Sequence, residues 1–211
     1  MKIAIVYIFP NLQAETYLPM AKRFVSSWMS CPPGETDHEL HVFINGPKPR
    51  HNEQELFDPL SVKFHQHNNW AKDIGAFMVA SKTIACDLLI CLGAHVWFHQ
   101  PCWLDRIVQV YCDFGPALYG CWGVDNPAPH IRTTAFWLPP DLLASYPFPM
   151  DNEHRYNFEH GRDQSILQWA KRCGYPATMV TTQRVLSHPF FDVPSPQESL
   201  MLDKYQPRPC H

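Results

Sequence analysis

The sequence predicts a single α/β domain, built on a mostly parallel central sheet with helices on both faces. Three observations lead there. Residues 2–9 (Lys2-Ile3-Ala4-Ile5-Val6-Tyr7-Ile8-Phe9) are apolar on both faces, as in a central strand covered from either side. Strand-like and helix-like segments then alternate along the chain, the pattern that builds right-handed β-α-β units. The 211 residues suit one well-buried domain, with no internal repeat and no low-complexity segment.

Taken in order, Pro10 closes the first strand. Ala14, Leu18, Ala21, Val25 and Trp28 recur at helical spacing until Cys31-Pro32-Pro33-Gly34 ends the helix. Residues 39–44 read as a second strand, stopped by the turn signal Asn45-Gly46-Pro47. A third strand lies near 61–65. Asn68-Asn69-Trp70-Ala71-Lys72-Asp73 turns into a helix near 73–85, and 87–92 is a fourth, buried strand with Gly93-Ala94-His95 at its carboxyl end. A helix follows Pro101 to about 113, and strands near 117–122 and 133–138 flank a Pro-rich loop. The last clear helix starts near Asp163, carries Ile166, Leu167, Ala170 and Cys173 on one face, and ends at Gly174. A strand near 177–180 follows. The domain is set at 1–195 and a Pro-rich tail at 196–211. In open sheets of this kind, ligands bind outside the carboxyl ends of the strands.

Composition narrows the function. A formal charge of −3 without any Lys/Arg-rich stretch argues against a nucleic-acid footprint, which needs a basic patch. Eight cysteines, at 31, 86, 91, 102, 112, 121, 173 and 210, form no CxxC pair. Most stand in apolar segments and are expected to be reduced core residues, which suits a cytoplasmic protein. The apolar amino-terminal run is short, ends in Phe9-Pro10 and lacks a cleavage site, so it reads as a strand and not a secretion signal. No apolar run approaches the ~20 residues of a membrane span.

Three loops converge on the carboxyl edge: the one after the first strand, the 69–73 turn, and 93–98. In the second, free backbone N–H groups at a helix start face the ligand edge. Asp73 can bond a ribose or sugar hydroxyl there and Lys72 can meet a phosphate. Alternatively, Asp73 only caps its helix.

Asn69-Trp70-Ala71-Lys72-Asp73-Ile74-Gly75-Ala76 resembles the N-x-G-x-D-x-G-A-type segment of GT-A glycosyltransferases, including rhamnan-synthesis-type enzymes. It stands ahead of a hydrophobic strand, as in that family, and the resemblance follows most of the chain in order. It implies a GT-A-like domain that transfers a sugar from a nucleotide-sugar donor, UDP-type first, to a hydroxyl of a glycan acceptor, as in polysaccharide biosynthesis. On that resemblance Tyr7, Asn45, Asn69 and Asp73 would hold base and ribose, with Lys72, Gly93, Ala94 and His95 at the pyrophosphate. The family's strand ends in an Asp-x-Asp motif that holds a divalent metal. Here Gly93-Ala94-His95 lacks both carboxylates. His95 takes the place of the last Asp, and an imidazole suits Mn, Zn, Fe or Ni better than Mg. With His188, at the place of a C-terminal histidine ligand, it would form a metal site, Mn first. Otherwise Gly93 lets the phosphates approach without metal.

The segment 130–137 corresponds to the family's acceptor-side strand, giving Arg132, Thr133 and Thr134 as hydrogen-bonding groups and Trp122 and Trp137 as rings for a sugar to stack on. Glu159-His160-Gly161-Arg162-Asp163-Gln164 resembles the acidic segment opening a late helix, where a carboxylate takes the acceptor's proton. Asp163 is the first choice and Glu159 the second. An N-cap role is the alternative. His65-x-His67 reads as a bystander. Two other functions compete: a nucleotidyltransferase, which would want a Gly-rich basic loop where Pro10-Asn11-Leu12-Gln13-Ala14 stands, and a non-catalytic sugar-binding module.

Overall fold

A computed structural model describes residues 1–48, 51–124, 129–186 and 195–203. The chain opens with β1 (Ile3–Pro10), buried from Ile3 through Phe9. Alternation sends Ile3, Ile5, Tyr7 and Phe9 into the core on one side, and Ala4, Val6 and Ile8 into the core on the other. A 3-10 turn at Asn11–Gln13 leads into α1 (Ala14–Ser30), which lays Ala21, Phe24, Val25 and Trp28 against the first face. Then follow β2 (Glu39–Asn45), α2 (His51–Glu55), β3 (Val62–His67), α3 (Lys72–Thr83), β4 (Leu88–Leu92) and β5 (Trp97–Phe98). Helix α4 (Trp103–Phe114) shares the first face with α1. Next come β6 (Leu118–Gly120), β7 (Gly123–Val124), β8 (His130–Ile131) and β9 (Ala135–Leu138). Helices α5 (Pro140–Ala144), α6 (Arg155–His160) and α7 (Ile166–Arg172) join α3 on the second face. Three short strands finish the chain: β10 (Ala177–Val180), β11 (Val185–Leu186) and β12 (Met201–Leu202).

The main sheet has the order β11-β10-β6-β9-β4-β1-β2-β3. β1 pairs in parallel with β2 and β4, β2 with β3, and β6 with β10. β9 runs antiparallel between β4 and β6. That reversal matters for the site, because it brings the amino end of β9, and with it residues 132–134, to the carboxyl edge of its neighbours. The fold is therefore α/β with a mostly parallel sheet covered on both faces, as the sequence predicts.

Some local expectations change. The last long helix begins at Ile166, not near Asp163, because Ser165 is its N-cap and accepts from the Gln168 amide at 3.3 Å. Asp163 stands before it, exposed, in the turn 162–164. The described cysteines are all unpaired, but only Cys91 and Cys121 are buried. Cys102, Cys112 and Cys173 are exposed, which corrects the reading of the thiols as core residues. From residue 196, set apart in the sequence as a tail, the chain packs onto the domain as far as Asp203: β12 pairs with β5 and Met201 is fully buried. No helix among the described residues is long and apolar enough to cross a membrane.

The turn into α3 is wound against the usual hand. Asn69, Ala71 and Lys72 hold φ of 63°, 48° and 51°, each costing about 1–2 kcal/mol for a residue with a Cβ. Ala71 is the helix N-cap and carries no side-chain cap bond. The winding folds the Trp70 carbonyl back onto the helix, where a Cβ on Gly75 would lie 1.9 Å from its oxygen. Only glycine fits at 75. Gly75→Ala should lower the urea midpoint by an amount equivalent to about 2–3 kcal/mol. An unchanged midpoint would mean that the turn is not clamped in this form.

Candidate functional site

The carboxyl edge of β1, β2 and β4 gathers most of the sequence-predicted donor residues. Tyr7 is fully buried, its ring stacked on Phe24 at 3.8 Å, and its hydroxyl donates to the Ala94 carbonyl at 3.2 Å. This bond fixes the strand end that follows β4. The Gly93 amide donates to the Thr134 carbonyl at 2.8 Å, which ties β4 to the reversed β9. A Cβ on Gly93 would lie 3.6 Å from Asp73 Oδ2 and 3.5 Å from the Thr134 carbonyl oxygen, ordinary contact distances. Asp73, Gly93 and Thr134 thus meet at one point, although they come from α3, β4 and β9.

Asp73 keeps part of its surface at the edge, yet burial pushes its carboxyl up to about 6, against the opposing pull of the Arg155 and Lys72 charges. Burial raises Tyr7 as well, and the nearby Asp73 charge adds to it. Lys72 is exposed beside this carboxyl. Arg155 opens α6 and has a buried Nε with no hydrogen-bond partner among the described residues. Nothing in the sequence motifs marks it, since it stands outside the acidic segment that follows.

Asn45 is fully buried at the end of β2. Its Oδ1 lies 2.8 Å from His67 Nδ1, while its Nδ2 has no hydrogen-bond partner among the described residues. His67, read from the sequence as a bystander, therefore braces a predicted donor residue. His65 stacks on Phe43 at 4.6 Å and sits 2.8 Å from His41 Nδ1, away from this edge.

The segment 130–134, expected from the sequence on the acceptor side, is engaged from below. The Thr133 amide donates to Glu159 Oε2 at 3.4 Å, and the Thr133 hydroxyl donates to the same oxygen. Glu159 Oε1 faces His130 Nε2 at 3.5 Å and His160 Nε2 at 3.8 Å. The Arg132 amide donates to the Trp122 carbonyl at 3.0 Å, and the Thr134 hydroxyl is buried with no hydrogen-bond partner among the described residues. Trp122 is only 5% exposed and Trp137 is fully buried, stacked near Tyr119 at 6.0 Å, so neither ring offers a face to a sugar. Trp70, at the turn, is 40% exposed.

His95 follows Ala94 just beyond the end of β4. Its ring lies 5.6 Å from that of Tyr17, and it lines a small cleft of about 90 Å³ with Met20, Arg23, Val96 and Trp97. His188 lies outside the described residues. Among the described residues, the group of three that brings metal-ligating atoms within 4.8 Å of one another is His130, Glu159 and His160, without His95. His130 and His160 were passed over in the sequence; the signal was the adjacent Glu159-His160 pair, read only for its carboxylate. A cleft of about 710 Å³ lies at the opposite, amino-terminal edge, between Lys2, Glu39, His41 and Cys86.

No protein-family model matches the chain, and no curated protein matches its sequence. Solved structures do match its fold. S. aureus TarS 1–349 superposes with a TM-score of 0.58 at 13% identity, over 88% of this chain and 59% of that one. A protein assigned as a glucose-1-phosphate thymidylyltransferase from Bacillus anthracis, in complex with a sucrose, gives 0.57 at 10% identity, over 84% and 86%. The mannosyltransferase PcManGT from Pyrobaculum calidifontis, in complex with GDP-Man and Mn2+, gives 0.56 at 11% identity, over 83% and 53%. The chain thus spans a little over half of the first and third of these proteins. The fold is GT-A-like, the class that the 69–76 segment suggests.

Asp73 supplies a test that does not depend on any ligand. Its folded-state pKa lies above the ordinary aspartate value, so the folded protein binds the extra proton between that value and about 6. Stability from this group is present at the acid end and lost as pH rises through about 6. Asp73→Asn should therefore stabilise the protein at pH 7–8 by about 1–3 kcal/mol and leave it little changed at pH 4. Denaturant unfolding at the two pH values checks this; equal effects at both would show that the carboxyl is not held against its burial.

Proposed function

We propose that the chain is a glycosyltransferase that moves a sugar from a nucleotide-sugar donor to a hydroxyl of a glycan acceptor. The observation that carries the reading is the meeting of Asp73, Gly93 and Thr134 at the carboxyl edge, with Tyr7 behind them. A carboxyl kept at a ligand edge despite its burial is characteristic of a functional group, since stability alone would replace it. The GT-A-like fold supports the same reading, as do neighbours that include a mannosyltransferase bound to GDP-Man and Mn2+.

In this account the donor's base and ribose lie over Asn69 and Asp73, with the buried Tyr7 and Asn45 supporting the edge from beneath, and its pyrophosphate over Lys72, Gly93, Ala94 and His95. Lys72 and Arg155 supply the positive charge that the missing Asp-x-Asp metal would otherwise bring. Among the described residues His95 joins no group of three metal-ligating side chains, and its predicted partner His188 lies outside them. Arg132, Thr133 and Thr134 receive the acceptor. Of the two candidate bases, Glu159 is already bound by Thr133 and paired with His130, so it holds the acceptor segment in place. Asp163 is exposed in a turn anchored by the Asn157–Gln164 side-chain bond of 3.1 Å, and it takes the proton. The acceptor oxygen then bonds the anomeric carbon as the nucleoside diphosphate leaves with the electrons of the broken bond. The loop after β1 is a tight 3-10 turn without glycine, which weighs against nucleotidyl transfer.

A thermal-shift panel of UDP, GDP, dTDP and CMP sugars tests the donor side. A donor at a hundred times its Kd should raise the melting temperature by about 5–10 °C, with EDTA as well as with Mn2+. No response to any of them would overturn the proposal. Asp163→Asn should cut transfer at least ~100-fold while leaving the donor's thermal shift intact. A lost shift would place Asp163 on the donor instead, and donor binding with no transfer to any acceptor by the native chain would make it a binding module.

A further inference from the structure

We propose that His130, Glu159 and His160 form a site for a borderline divalent transition-metal ion, Zn2+ first among them. The site is distinct from the Gly93-Ala94-His95 position, and it stands whether or not the chain transfers sugars. Two imidazoles and one carboxylate are a donor set that favours zinc, iron or manganese over Mg2+ and Ca2+, which prefer all-oxygen surroundings.

The geometry is nearly formed. Glu159 Oε1 lies 3.5 Å from His130 Nε2 and 3.8 Å from His160 Nε2, and one ligand atom from each residue falls within 4.8 Å of the others. An ion bound at ~2.0–2.1 Å to each of three atoms sets them a little over 3 Å apart, so the two carboxylate–imidazole distances close by a few tenths of an ångström while the imidazole pair, within 4.8 Å, draws together by about 1.5 Å at most. The carboxylate is oriented for it. Thr133 holds Oε2 through both its amide and its hydroxyl, which turns Oε1 toward the imidazoles. Outer bonds of this kind set the direction of a metal ligand.

His160 gives the second, independent sign. Its Nδ1 is buried without a hydrogen-bond partner among the described residues, and its Nε2 stands beyond hydrogen-bond length from Glu159. The ring is nonetheless held in place, against Tyr156 at 4.3 Å and edge-on to His130 at 4.4 Å and 79°. A half-buried imidazole fixed by ring contacts and lacking a hydrogen bond is poorly satisfied as a structural residue. The nitrogen that faces Glu159 Oε1, and that a metal ion would bond, is Nε2; such a bond fixes the ring further and leaves Nδ1 as it is.

Placement says what the ion does. His130 is on β8 and the other two ligands close α6, so the site joins the acceptor-side segment to the helix beneath it. Three protein ligands leave coordination positions open for an oxygen ligand, a water or a hydroxyl of a bound molecule.

The test is metal binding by the purified chain, stripped with chelator and without any nucleotide sugar. Co2+, as an optical probe for Zn2+, should give a visible absorption band that saturates at one ion per chain and is displaced by Zn2+. Mg2+ should not displace it. Glu159→Gln and the double variant His130→Gln/His160→Gln should each weaken Zn2+ binding at least ~30-fold by calorimetric titration, while His95→Gln should leave it unchanged. Circular dichroism without metal shows whether the variants fold, and the native protein's cobalt spectrum is decisive even if they do not. No cobalt band in the native chain, or an equal band in a folded double variant, would overturn the proposal. Failure of the nucleotide-sugar panel would leave this result untouched, so the two claims fail separately.

Discussion

The turn from Asn69 to Lys72 is the constraint on which the site depends. Three residues with side chains sit at positive φ there, and Gly75 lets the Trp70 carbonyl fold back onto the first turn of α3. A turn of the ordinary hand would start the helix in another direction and carry Asp73 away from Gly93. The sequence contains no glycine among these positive-φ residues, so the strain is real and is retained by packing: Ala71 is fully buried and Ile74 nearly so. A strained turn that delivers a burial-shifted carboxyl to the ligand edge is two costs in one place, and both fall where the proposed donor lies.

The second determinant is the direction of β9. Parallel strands alone would put every loop of one kind on the same edge. By running antiparallel between β4 and β6, β9 instead brings its leading residues Thr133 and Thr134 against the end of β4. The proposed donor-side and acceptor-side groups thus share one backbone hydrogen bond, Gly93 to Thr134. From Thr133 the chain of contacts continues to Glu159, and from Glu159 to His130 and His160. The edge is a continuous polar seam, from Tyr7 to α6, above two apolar cores.

Much of this was legible in the residues. β1 and β4 announce themselves because a strand buried on both faces must be apolar throughout, and α1 because Ala21, Val25 and Trp28 recur at helical spacing. The segment 69–76 pointed to the right fold. The short helices α2, α5 and α6 were not legible, since five or six residues show no period and are stabilised by tertiary packing. Asp163 looked like a helix start because acidic residues favour that place; the hydroxyl of Ser165, two positions on, took it. Cys173 looked buried because it falls at helical spacing from Ile166 and Ala170, but it follows the end of α7 and is exposed, as are Cys102 and Cys112. His130 and His160 are separated by thirty residues in the chain, and only the β8–α6 contact brings them together. Arg155 is invisible for the same reason: its meaning comes from Asp73, far back in the sequence.

Two regions compete to receive a ligand: the carboxyl edge organised by the Asn69–Lys72 turn, and the cleft at the amino-terminal edge beside His41 and Cys86. Hydrogen–deuterium exchange with and without a saturating nucleotide sugar separates them most directly. The account predicts slowed exchange in 68–76, 93–96 and 132–134, with 37–41 and 83–86 unaffected. Protection confined to the amino-terminal cleft, with the turn exchanging as before, would contradict it.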